Sequence, residues 1–133
     1  MKVLEKIETK TATIFLDDEG ILHRKIKEGA EVDLEEQKNC FNAYKKLGCQ
    51  ENKALLLVES GSFFSFDHDA QRYAAKEQKH FFIAAALVHN SLAIRVVYNF
   101  FNNFHTHAVP FKMFSTKKAA LEWLRNFKME KKS

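Results

Sequence analysis

With 133 residues, 46% of them hydrophobic and 29% charged, the chain can bury one ordinary core and is too apolar to stay disordered. Lysine and arginine exceed aspartate and glutamate by only 21 to 17, and the two signs are interleaved, as in residues 25–36, so no basic face marks a nucleic-acid partner. The longest apolar run, residues 81–88, is far shorter than the roughly 20 residues that span a bilayer, and residues 1–10 have no apolar core of signal-peptide length. The expectation is a cytoplasmic protein without a membrane span, one domain over residues 1–133, with roughly 10–127 as its core and 128–133 as a frayed tail.

Ala12, Ile14 and Leu16 alternate with Thr13 and Phe15, Asp18-Glu19-Gly20 supplies turn chemistry, and residues 21–27 resume an extended pattern; together they predict a β-hairpin. Residues 3–9 add a short edge strand ahead of it. Asp33 reads as a helix N-cap, with Glu36 three residues on to complete a capping box. Leu34, Phe41, Tyr44 and Leu47 then recur at helical spacing, and Gly48 closes the helix as a left-handed cap.

The run Ala54-Leu55-Leu56-Leu57-Val58 does not alternate, as expected of a central parallel strand buried on both faces. Asp67 next caps a helix over residues 68–79, with Ala70, Tyr73, Ala74 and Glu77 on one side. Residues 81–88 make another buried strand, after which Asn90 or Ser91 caps a helix. Its apolar stripe is Leu92, Ala93, Val96, Val97, Phe100, Phe101 and Phe104, and its other face carries Arg95, Asn99, Asn102 and Asn103. A last strand runs over residues 109–114, and Ser115 caps a helix that buries Ala120, Trp123, Leu124 and Phe127. From residue 21 onward, strand and helix alternate four times. Right-handed crossovers turn that order into a mostly parallel sheet with helices stacked along it, the N-terminal hairpin strand joining antiparallel, which is a mixed α/β fold.

Leu55-Leu56-Leu57-Val58 leading into Ser60-Gly61, Asn90-Ser91-Leu92-Ala93-Ile94-Arg95 opening a helix, and Phe114-Ser115 followed by Ala120-Leu121-Glu122-Trp123-Leu124 carry a family likeness. Over roughly residues 10–127 the chain resembles the STAS family, the sulfate-transporter and anti-sigma-factor-antagonist domain, and more closely its uncharacterised bacterial branch. The resemblance implies a regulatory or ligand-binding module, not an enzyme. In antagonist members a serine at the start of the helix after the central strand, within an Asp-Ser-Ser-Gly pattern, is phosphorylated as a switch. Here Phe66-Asp67-His68-Asp69 fills that stretch without a serine; Ser65 lies just upstream, and Asp67 would hold a fixed negative charge at the same place.

Ligands of open α/β sheets collect outside the carboxyl ends of parallel strands, where loops converge and helix amino-termini present N–H groups. The expected site therefore has two halves. Ser60, Ser62 and Ser65 suit a polar head group, while Phe63, Phe64 and Phe66 suit an apolar ligand or a protein surface. Asn90, Ser91 and Arg95 join a helix N-terminus to a guanidinium, which attract the same anion. The function expected is binding of a protein partner or a small apolar or anionic ligand, with no catalytic residue, cofactor or metal. A small hydrolase or transferase using Ser62 or His68 is the alternative, although Ser60-Gly61-Ser62 lacks the spacing of a nucleophile elbow and Asp67 beside His68 reads as a cap.

A homodimer acting purely as an interaction domain is a third reading, drawn from thirteen phenylalanines and an uncovered sheet edge. His105 and His107 sit at the far end of a helix from His89, too distant to share a metal at about 1.5 Å per residue. Cys40 and Cys49, outside any CxxC pattern, read as two free thiols.

Overall fold

In the computed structural model, which describes residues 3–60, 64–92, 94 and 109–132, the chain opens with the expected antiparallel strands. These are β1 (Val3–Glu8), β2 (Ala12–Asp17) and β3 (Ile21–Ile26), followed by the short β4 (Ala30–Val32) and α1 (Leu34–Lys46). Next come β5 (Ala54–Glu59), β6 (Phe64–Phe66) and α2 (His68–Glu77), then a single 3-10 turn at Gln78–His80, β7 (Phe82–Val88), β8 (Phe111–Phe114) and α3 (Lys117–Lys132). Among the described residues the main sheet has the order β1-β2-β3-β5-β7-β8, antiparallel through β3 and parallel from β3 to β8. The mixed, mostly parallel α/β expectation is borne out. No helix among the described residues is long and apolar enough to cross a membrane.

Sequence chemistry sets the junctions. At the β2–β3 turn, Asp17 Oδ1 accepts the N–H groups of Glu19 (2.8 Å) and Ile21 (3.0 Å), and Gly20 takes a φ of +83°, a left-handed conformation open to glycine without steric cost. Gly48 ends α1 with a φ of +85°: its N–H donates to Lys45 O at 3.0 Å, and that of Cys49 donates to Tyr44 O at 3.1 Å, the pair of bonds that defines a Schellman cap.

The unalternating β5 run is explained by cover on both faces. Ala54 and Leu56 pack with Ile14, Leu22, Phe41, Tyr44 and Phe82 beneath α1 and α2. Leu55 and Leu57 turn the other way, joining Ile21, Ala84, Ala86, Ala120 and Leu124 beneath α3. On the α1 side the Phe41 ring meets Tyr44, Tyr73 and Phe81 edge-on at centroid distances of 4.8, 5.2 and 5.3 Å. Such aromatic pairs add about 0.5–1.5 kcal/mol each beyond the area they bury.

Several local expectations are corrected. Asp33 caps α1, its Oδ1 accepting the Glu36 N–H at 2.8 Å, but Glu36 does not reach back to complete a capping box. Its carboxylate is buried and accepts the N–H (3.2 Å) and hydroxyl of Thr11, because the chain entering β2 offers donors that water cannot serve. Thr116, one residue after Ser115, caps α3 by accepting the Ala119 N–H at 3.2 Å. Leu92, expected to begin a buried stripe, stands 66% exposed in the first turn after Ser91; the rest of that stripe lies outside the described residues. Residues 64–66, expected as loop, form β6 and pair in parallel with β4, an unforeseen two-stranded sheet that satisfies the backbone groups of both crossings.

Candidate functional site

The carboxyl ends of β5 and β7 lie side by side, with Glu59 opposite Val88. Ser60 fastens them: its Oγ donates to Val88 O at 3.1 Å and its N–H to the same carbonyl at 3.4 Å. His89, only 3% exposed, follows β7, and its Nδ1 accepts the Ser91 N–H at 3.0 Å. Ser91 Oγ in turn accepts the Ile94 N–H at 3.3 Å, so Ser91 and not Asn90 caps the next segment. The Phe64 ring lies 5.6 Å from His89 and 5.8 Å from Phe66, and Phe66 lies 5.3 Å from the Arg24 guanidinium carbon.

A continuous rim of rings therefore runs from the end of β7 across to β3. Phe64 and Phe66 are half-buried, Ser65 is exposed between them, and Asn90 is exposed next to His89. Ser62, Phe63 and Arg95 lie outside the described residues. His68 is exposed in the first turn of α2, and Asp67 Oδ1 accepts the Ala70 N–H at 2.8 Å, the cap that was expected.

Arg24 is the residue that sequence reasoning missed. Period-two alternation along β3 sends Leu22, Arg24 and Ile26 toward α1 and α2, and Arg24 is 3% exposed there. Its Nη1 donates to Gln37 Oε1 at 2.8 Å and to the Tyr44 hydroxyl at 3.0 Å, while Gln37 Nε2 donates to Ala70 O at 3.2 Å. Among the described residues Nε and Nη2 are buried without a hydrogen-bond partner. Burial opposes the charge, but Tyr44, Cys40 and Glu36 outweigh it and hold the guanidinium above its usual pKa. Tyr44 itself is pushed up to about 12, chiefly by burial. A charge taken out of water with donors unpaired costs several kcal/mol. Only a weak signal was present in the sequence: Leu22 and Ile26 flank Arg24 at a spacing of two, but Ile21 beside His23 makes the other face apolar as well, so the face is decided only by the register.

The opposite face of β3 holds a second buried polar pair. His23 Nε2 lies 2.8 Å from Asp17 Oδ2, and the imidazole stacks on Phe15 with centroids 4.5 Å apart. Burial lowers the His23 pKa against the opposing pull of Asp17, so the ring is neutral at pH 7 and donates from Nε2 to the carboxylate. Nearby, Lys117 Nζ pairs with Glu59 at 3.4 Å. Both thiols are free and buried; desolvation raises the pKa of Cys40 and pushes Cys49 up to about 11, which leaves them protonated and poor nucleophiles.

A family model described as Domain of unknown function (DUF7793) matches residues 14–128. The chain belongs to the DUF7793 family. No curated protein matches the sequence. Among solved structures, this DUF7793 chain is similar to an uncharacterised protein of the DUF3478 family with a SpoIIAA-like fold from Shewanella loihica. The TM-score is 0.58 at 15% identity, over 92% of this chain and 93% of that one. It is also similar to the anti-sigma factor antagonist SpoIIAA in its unphosphorylated form, with a TM-score of 0.56 at 12% identity, over 86% of this chain and 97% of that one. The STAS-like resemblance read from residues 55–58, 90–95 and 114–124 is thus borne out as a fold.

Proposed function

We propose that this DUF7793 protein is a non-enzymatic regulatory module that binds a protein partner or a small apolar or anionic ligand on the rim at the carboxyl ends of β5 and β7. The rim is built by Ser60, Phe64, Ser65, Phe66, Asn90 and Ser91, and the proposal extends it to Ser62, Phe63 and Arg95. The observation that carries it is the series His89, Phe64, Phe66 and Arg24, which sets half-buried aromatic rings beside a buried cation. Rings of this kind on a convergent end of a parallel sheet offer apolar contact together with anion recognition. The shared fold supports the regulatory part, since SpoIIAA is an anti-sigma factor antagonist whose solved form is the unphosphorylated one.

In the present chain α2 opens with Asp67-His68-Asp69 and no serine. The serine of the antagonist pattern is therefore missing at that helix start, where two carboxylates stand instead, and Ser65 is the nearest hydroxyl upstream. Native mass spectrometry of protein purified from its own host tests the reading. A bound species is expected on the wild type and lost from Phe64→Ser, with the far-ultraviolet circular dichroism of the variant unchanged. A species retained at full occupancy by both Phe64→Ser and Phe66→Ala would place binding elsewhere.

A further inference from the structure

We propose that the Nε–Nη2 edge of Arg24 is the seat of a small two-oxygen anion, a carboxylate or a phosphate, admitted when the Phe66 ring swings aside. The proposal deepens the rim reading, because Phe66 belongs to both. A planar guanidinium presents Nε–H and one Nη–H along a single edge as parallel donors spaced to match two oxygens of a carboxylate or phosphate. In this protein that edge is the unused one: among the described residues Nε and Nη2 are both buried and without a partner, whereas Nη1 is held by Gln37 and Tyr44.

The two bonds on Nη1 do not neutralise the charge; they orient it. Glu36, the carboxylate whose field reaches Arg24, directs one oxygen to Thr11 and the other to Asn39, and makes no hydrogen bond to the guanidinium. Among the described residues Arg24 therefore has no anionic hydrogen-bond partner. Buried donors left open in this way are rare in native proteins and call for a ligand or a cost carried for function. The cover is light. Phe66 is half-buried, its ring lies 5.3 Å from the guanidinium carbon, and it sits in a three-residue strand that pairs only with three-residue β4. Short elements with few buried contacts belong to the low-stability end of a structure, so this ring next to the guanidinium can be displaced without unfolding the main sheet.

The test is nitrogen-15 nuclear magnetic resonance of arginine side-chain Nε–H groups in the full chain, titrated with inorganic phosphate, with malonate, and with chloride at matched ionic strength. The Arg24 signal is assigned through bonds to its own β3 backbone. It is expected to shift saturably with phosphate or malonate and not with chloride; whichever anion saturates at lower concentration identifies the chemistry. Arg24→Lys keeps the charge but loses the fork, and is expected to weaken the thermal stabilisation by that anion at least tenfold. Phe66→Ala is expected to bind it faster. An Arg24 signal that moves equally with all three salts, or with none, overturns the proposal, and does so on wild-type protein even if Arg24→Lys fails to fold. Failure of the rim reading is read separately: Phe64→Ser leaves the Arg24 titration intact whether or not the host-derived species is lost.

Discussion

His23 and Arg24 are adjacent in β3 and face opposite sides of the sheet, one neutral and one charged, and the neutral one makes folding sensitive to acid. Its folded pKa lies below the ordinary value of 6.5 because of burial. The unfolded chain therefore takes up a proton first as pH falls, and the stabilisation, complete above about pH 6.5, is lost as pH drops from there toward the folded value. Melting temperatures measured from neutral pH down to about pH 5 are expected to fall more steeply for wild type than for His23→Gln, which keeps a donor for Asp17 but does not titrate there. Parallel curves would assign the acid sensitivity in this range to groups other than His23. Residues of this kind were the least legible in the sequence. A histidine or arginine in a strand announces which face it occupies only once the register is known, and the partners Gln37 and Tyr44 lie 13 and 20 residues away from Arg24.

Elements were legible where a local pattern and the tertiary fold ask for the same residue. Asp33, Asp67, Gly20 and Gly48 do in the structure what their types imply, because caps and left-handed turns are decided by bonds within a few residues. β4 and β6 were invisible for the converse reason: each is three residues long, too short for a period, and exists only through the other. The one-residue displacement of the α3 cap can be measured. Thr116→Ala is expected to cost about 0.5–2 kcal/mol, the usual value of an N-cap, and Ser115→Ala less than about 0.5 kcal/mol. Within β5, Leu56→Ala is expected to cost about 2–5 kcal/mol, since the side chain is buried between α1 and the sheet. Chemical denaturation gives both sets. A Ser115 loss larger than that of Thr116, or a Leu56 loss below about 1 kcal/mol, would contradict these assignments.

Over the whole molecule, the order of strands and helices was enough to give the mixed sheet, since right-handed crossovers leave few alternatives. The candidate site was drawn from topology, since ligands gather at the carboxyl ends of parallel strands, while the path of contacts from His89 to Arg24 depends on β6, which no local pattern announced. Among the described residues the sheet ends in two edges, β1 and β8. Exposed Glu5, Lys6 and Glu8 along β1 oppose edge-to-edge pairing there, so we propose that a homodimer, the third reading of the sequence, would form on the β8 side, where Phe111 and Phe114 are only half-buried. Light scattering at micromolar concentration is expected to give twice the chain mass; a clean 15.5 kDa species would remove the dimer.

Hydrogen–deuterium exchange resolved to single amides tests the rim most directly, comparing protein purified with its host-derived species against the same protein stripped by unfolding and refolding. Protection on binding is expected at Ser60, at Phe64 to Phe66 and at His89 to Ser91, where β5 and β7 end and β6 begins, with the α3 face unchanged. Protection confined to α3 or to the β1 edge, with these amides unaltered, would contradict a binding rim at the carboxyl ends of the central strands.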